Sequence, residues 1–79
     1  MSRGRTPIAQ LNSTQYDALE RAIVDGRRIA VRRRGTEYIV IPESIGTREG
    51  RETIEARHPT TGERLTLVID EVEDIEVVQ

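Results

Sequence analysis

The chain has 79 residues, no cysteine, no lysine and a formal net charge of −2. The missing cysteines exclude disulfides and thiolate metal sites, and no apolar run approaches the roughly 20 residues that span a bilayer. We therefore predict one domain of a cytoplasmic protein that does not contact membranes.

The charges are distributed unevenly along the chain. Residues 1–34 contain eight arginines and three acids, a net charge of +5, whereas residues 63–79 contain one arginine and six acids, a net charge of −5. Every cation is an arginine, whose planar guanidinium suits carboxylates and phosphates. A fold that places the two ends side by side would neutralise both of them.

Residues 1–10 have little to bury and predict a flexible N-terminal arm ahead of a single domain over residues 11–79. A helix is predicted from residue 13 to about residue 25, because Asn12 and Gln15 can form a capping box and Gly26 suits the C-terminal cap. The side chains on its predicted apolar face are Tyr16, Leu19, Ala22 and Ile23.

A β-hairpin is predicted next, with strands at residues 27–34 and 37–41. Ile29 and Val31 alternate with polar residues, Gly35 interrupts the run, and Val40 resumes it. Pro42 is expected to end the second strand, because proline has no N–H to donate to a ladder.

The rest of the chain is predicted to form short strands and turns. A short or bent strand at residues 43–47 precedes a turn at 48–51, a strand at 52–57 and a second turn at 58–62. The strand at 64–69 alternates, with Leu65, Leu67 and Ile69 inward. Asp70 is expected to cap a single helical turn, and residues 75–78 form a last strand.

One helix followed by five short strands predicts a mostly β protein, a small SH3/Sm-like five-stranded antiparallel barrel with one N-terminal α-helix. The alternative is an open antiparallel sheet with the helix across one face. In the barrel, the first strand pairs with the last, which places Arg28 and Arg32 opposite the acids at 73–76.

The order of apolar and charged residues from about residue 15 to residue 78 resembles the WYL domain. The matching positions are Leu19, Ala22, Ile23, Gly26, Arg27, Ile29 and Val31, then Val40 and Pro42, then Thr53, Ile54 and Ala56, then Glu63, Arg64, Leu65, Leu67, Ile69, Asp70, Val72 and Ile75. The resemblance implies a helix leading into a Sm-like barrel, as found mostly in bacterial transcriptional regulators.

The family's ligand-binding positions are not present here. Its Trp-Tyr-Leu signature falls on Glu52, Thr53 and Ile54, and two of its arginines fall on Val68 and Glu71. The resemblance therefore carries the fold but no binding residue to this chain.

No catalytic constellation is visible, and we predict neither enzymatic activity, nor a metal site, nor a cofactor. His58 is the only histidine and lies in a turn beside Pro59. The acids near the C-terminus lack the glycines and spacing of a calcium loop, so they are interpreted as a solvated face.

The arginines allow three interpretations. Arg28, Arg32 and Arg34 alternate along the first strand, and Arg3 and Arg5 can join them. They could be neutralised by the acidic tail, bind nucleic acid phosphates, or bind an acidic protein partner. Nucleic acid is not favoured, because the protein is acidic overall and has only two aromatic side chains for stacking.

Four apolar side chains fall on the outward face of their predicted strands, and they are Ile39, Ile41, Val68 and Val78. If the helix does not cover them, they form a candidate self-association patch. The sequence therefore predicts a small binding or regulatory module, most readily a protein-interaction domain that binds an unknown partner or a second copy. The alternative is a nucleic-acid- or nucleotide-binding accessory that uses the arginine strand.

Overall fold

The computed structural model describes residues 11–78, in which one α-helix is followed by five β-strands. The predicted flexible arm at residues 1–10 lies outside the described residues. The elements are α1 (Ser13–Asp25), β1 (Ile29–Arg33), β2 (Thr36–Arg48), β3 (Arg51–Arg57), β4 (Arg64–Val68) and β5 (Asp74–Val77), with a 3₁₀ turn at Ile69–Glu71.

The predicted boundaries of α1 are confirmed. The Gln15 backbone N–H donates to the Asn12 side chain at 2.8 Å, and the Asn12 N–H donates to the Gln15 side chain at 3.0 Å. This capping box satisfies two of the N–H groups that a helix start leaves unpaired. At the other end Gly26 adopts the left-handed conformation, and the Arg27 N–H donates to the Ala22 carbonyl at 2.9 Å.

Two tight turns fix the pairing of β1 with β2 and of β2 with β3. Each has two central residues with positive φ, namely Arg34 and Gly35 in the first turn, and Glu49 and Gly50 in the second. Two-residue loops of this kind match the right-handed twist of the strands that they join. The second position is glycine in both, because glycine reaches positive φ without a steric penalty.

The prediction that Pro42 ends the second strand is wrong. β2 continues to Arg48 as one strand of 13 residues, and the residues predicted as a separate short strand are its second half. The register between β2 and β3 shifts between Pro42 and Ser44, so the proline lies at a bulge. A bulge is one of the few places in a sheet where a missing N–H costs no ladder bond.

The strands form a five-stranded antiparallel sheet in the order β4-β3-β2-β1-β5. The predicted pairing of the first strand with the last is confirmed, with Ile29 opposite Val77 and Val31 opposite Ile75. No ladder among the described residues joins β4 to β5, so the sheet is open, as in the alternative fold, and the predicted closed barrel is not confirmed.

The core lies between α1 and one face of the sheet. α1 contributes Leu19 and Ala22, and Leu11 just before it is also buried. The buried strand residues and those of the following turn are Ile29, Val31, Val40, Ile54, Ala56, Leu67, Ile69 and Val72. Tyr16 was predicted on the apolar face of the helix, but 38% of it is exposed, so it lies at the edge of this core.

The helical turn after β4 begins two residues earlier than a cap at Asp70 predicts. It spans Ile69–Glu71, its capping position is Val68, and no side chain caps it. Asp70 is therefore not its cap but lies inside it, where its carboxylate receives two hydrogen bonds from Arg51. Asp70 was predicted as a cap because capping rules consider only neighbouring residues. Its carboxylate is instead engaged by Arg51, which lies 19 residues earlier in the chain.

Candidate interaction surface

The face of the sheet opposite the helix carries apolar side chains on three adjacent strands. Ala30 of β1 is opposite Ile39 of β2, and Ile41 lies two residues further along the same face. The Val78 N–H donates to the Arg28 carbonyl at 2.9 Å, which extends the β1–β5 ladder and brings Val78 beside this group. We call Ala30, Ile39, Ile41 and Val78 the outer patch.

The outer patch is accessible to a partner. Ile39 is 40% exposed and Val78 is 37% exposed, while Ala30 and Ile41 are partly buried. The helix packs on the opposite face of the sheet, so it does not cover the patch. Val68 does not belong to it, because Val68 lies on β4, opposite Thr53 of β3, and both β3 and β2 separate it from β1.

Two shallow cavities flank the outer patch. One, of about 380 Å³, is lined by Gly26, Arg27, Arg28, Ile41 and Val78. The other, of about 500 Å³, lies between Ile39 and the turn that begins at His58. His58 thus lines a surface depression, and the loop residues around it close one side of the patch.

The arginines in and beside β1 do not all lie on one face of the sheet: some are on the outer face, one is on the helix side, and one is in the turn that follows. Arg32 lies on the outer face directly opposite two acids, Glu37 of β2 and Asp74 of β5. Its Nη1 also donates to the Gly35 carbonyl at 3.4 Å. For Arg32, the predicted position opposite the acidic tail is confirmed, and the charges on either side favour this register.

Of the other predicted arginines, only Arg28 lies on the same face of the sheet as Arg32 among the described residues. Arg28 is on the same face but pairs with apolar Val78 through its backbone, so its predicted position opposite an acid is wrong. Arg34 is in the β1–β2 turn with φ of 53°, not on the strand. Arg3 and Arg5 lie outside the described residues.

Arg33 takes part in a contact that sequence reasoning missed. Its guanidinium lies 5.2 Å from the centroid of the Tyr38 ring, a distance typical of a cation–π interaction. Both side chains are on the helix side of the sheet, where Tyr38 also packs against the core. This stacking occupies one of the chain's two aromatic rings.

Arg51 and Asp70 form the best-defined ion pair among the described residues. Arg51 Nε donates to Asp70 Oδ2 at 3.0 Å, and Nη2 donates to Oδ1 at 2.6 Å, with Glu71 at 3.7 Å. The two hydrogen bonds lower the pKa of Asp70 and raise that of Arg51. This fork ties the start of β3 to the 3₁₀ turn.

A second ionic group lies where β2 bulges. Glu43 accepts a hydrogen bond from Arg57 Nε at 3.0 Å and lies 3.7 Å from Arg64 Nε. Two cations are thereby partly neutralised by one acid that the bulge brings to them. Local sequence patterns contain no signal for this group, because its members come from three strands.

A groove between α1 and β2 was also missed. It has a volume of about 720 Å³, and its apolar lining includes Tyr16, Ile23, Val24 and Ile45, with Asp17, Glu20 and Arg21 at its rim. Val24, which is not part of the predicted apolar face of the helix, is 83% exposed. The outer patch and this groove are thus two separate apolar surfaces.

Within residues 11–78, no three histidine or carboxylate side chains converge as metal ligands, and no helix combines the length and apolar character that crossing a membrane requires. Comparison of the chain with protein-family models and with curated proteins finds no match to either. The resemblance to the WYL domain stays a prediction made from the sequence.

Proposed function

We propose that this chain is a non-enzymatic protein-interaction module that binds its partner through the outer patch. The observation that carries the proposal is the exposure of Ile39 on β2 and of Val78 just after β5, beside the partly buried Ala30 and Ile41, on the face away from the helix. Apolar side chains rimmed by charged ones are typical of interaction sites, and here Arg28, Arg32 and Glu37 form the rim.

The proposal includes an SH3/Sm-like fold of the WYL type, opened between β4 and β5, in a cytoplasmic protein. The strand order, the single turn of helix between β4 and β5, and the pairing of β1 with β5 support this assignment. The long β2 supports it as well, since it pairs with β1 through its first half and with β3 through its second half.

Nucleic acid binding is the second candidate. Arg27 and Arg28 line the same cavity, which favours a phosphate there. Against it, Arg32 lies between two acids, and Tyr38 is already stacked under Arg33. A single-strand binder needs free aromatic rings in a basic groove, so the outer patch suits a protein better.

The test is crosslinking and capture of partners from the source cells by tagged wild-type chain, Ile39→Arg and Val24→Arg. The first variant places a charge in the outer patch, and the second is a matched control on the exposed side of α1. We expect the wild-type chain to capture protein partners even after nuclease treatment. Ile39→Arg should lose these partners, and Val24→Arg should keep them. Equal capture by all three chains would contradict the proposal, and capture that nuclease abolishes would favour nucleic acid.

A further inference from the structure

The charges around the outer patch are arranged so that the patch complements itself. The face has three levels along its strands, each two residues apart and therefore separated by about 7 Å. Arg28, Ile41 and Val78 share the first level, and Ala30, Ile39 and Glu76 share the second. Arg32 lies at the third level, between Glu37 and Asp74.

Arg28 and Glu76 are oppositely charged but are not paired with each other. Within residues 11–78, neither side chain forms an ion pair, and both are exposed. They lie on neighbouring strands at different levels, with Val78 and Ala30 at the other corners of the same small rectangle. Two unpaired charges of opposite sign beside an apolar group can pair with a partner that presents the same two charges in reverse order.

We propose that the partner of the outer patch is a second copy of this chain, an inference that rests on the proposed function. The twofold axis crosses the strands between the levels of Ile39 and Ile41. It brings Ile39 of one copy against Ile41 of the other, and Arg28 of each copy next to Glu76 of the other. A twofold interface is self-complementary, so each contact occurs twice.

The size of the surface is consistent with such a dimer. The accessible surface of the chain is 5233 Å². A specific interface buries at least about 1,000 Å² in total, which is about 500 Å² from each copy, or roughly a tenth of this surface. Three adjacent strands and the flanking turn at His58 can supply that area, and the two sheets would pack face to face.

The experiment uses exchanged charges and sedimentation of the purified chain at about 100 μM, a concentration that detects dimers of micromolar affinity. We expect the wild-type chain to dimerise, and Arg28→Glu and Glu76→Arg each to weaken the dimer by about tenfold or more, because each places like charges together twice. Combining both changes in one chain should restore the dimer.

Mixing the two single variants gives the most specific result. In a mixed dimer, position 28 of each copy meets position 76 of the other, and both of these contacts join one acid to one arginine. The mixture should therefore associate more tightly than either variant alone. Circular dichroism of each variant establishes that it is folded. If Arg28 and Glu76 paired within one chain, mixing the two single variants would not restore the dimer. That result would overturn the proposal.

The remaining outcomes separate this inference from the proposed function. A wild-type chain that stays monomeric overturns the twofold dimer, whereas the proposed function is then decided by the capture experiment with Ile39→Arg. If sedimentation shows that Val24→Arg disrupts the dimer and Ile39→Arg leaves it intact, the dimer forms through the groove beside α1. That result also overturns the inference. A dimer that is lost with Ile39→Arg and kept with Val24→Arg supports both the twofold dimer and the proposed function.

Discussion

Reversing the charge of Arg32 tests whether the acids on either side hold the arginine strand. Arg32 is opposite Glu37 on one strand and Asp74 on the other. Each opposite-charge pair across strands contributes about 0.2–1 kcal/mol, and like charges cost a similar amount. Arg32→Glu replaces two attractive pairs with two repulsive ones, so we expect the free energy of unfolding to fall by about 1–4 kcal/mol. For a domain of this size, each kcal/mol lowers the Tm by about 4–8 °C.

Urea unfolding of Arg32→Glu, Glu37→Arg and the double variant measures the coupling between the two positions. The double variant should recover much of the loss, because it restores one opposite-charge pair. Arg34→Glu is the matched control, since Arg34 is exposed in the turn and has no residue opposite it in the ladder. If Arg32→Glu is as stable as Arg34→Glu, or if the coupling is zero, the neutralisation of the strand by these acids is refuted.

Three further predictions concern the folded state. Because hydrogen bonds from Arg51 lower the pKa of Asp70, their stabilisation is fully present above the carboxyl's ordinary pKa of about 3.9 and is lost as the pH falls through the lowered value. In urea unfolding, the stability advantage of the wild type over Asp70→Asn should therefore disappear in acid, and an advantage that persists there contradicts the assignment. Leu67→Ala removes a fully buried side chain and should cost about 2–5 kcal/mol in the same assay, so a loss below that range would mean the core collapses around the gap. Gly50→Ala should destabilise the fold by about 1 kcal/mol, because φ is 78° at this position and alanine is strained there. Gly46→Ala should stabilise the fold by up to about 1 kcal/mol, because the added Cβ would lie an acceptable 3.7 Å from the nearest atom and alanine restricts the unfolded chain. Thermal melts in which Gly50→Ala is the more stable of the two variants would refute this pair of predictions.

Features that depend on neighbouring residues were predictable from the sequence. The capping box of Asn12 and Gln15 and the cap at Gly26 indicated the correct bounds of α1, because these groups act within one turn of helix. The pairing of β1 with β5 was also predicted, although it is long-range, because the first strand of an SH3/Sm-like barrel pairs with the last, and the opposite charges of the two ends agree with that pairing.

Features that depend on the assembled sheet were not predictable. Proline normally ends a strand, and nothing near Pro42 shows that a bulge places its missing N–H outside the ladder. The pairing of Arg51 with Asp70 joins residues that are 19 positions apart, so no local rule includes it. For the outer patch, alternation correctly grouped Ile39 and Ile41, but only the strand order shows that Val68 lies elsewhere.

The position of β5 late in the chain affects what β1 meets during synthesis. Val77 pairs with Ile29 and is made about 48 residues later, which takes about 2–10 seconds at ordinary rates of translation. Once Val40 has been made, the hairpin of β1 and β2 can form, while the other side of β1 stays an open edge until β5 is made. Charged side chains on an edge discourage it from pairing with foreign strands, so the arginines of β1 protect the nascent chain from aggregation before their acidic neighbours on β5 exist.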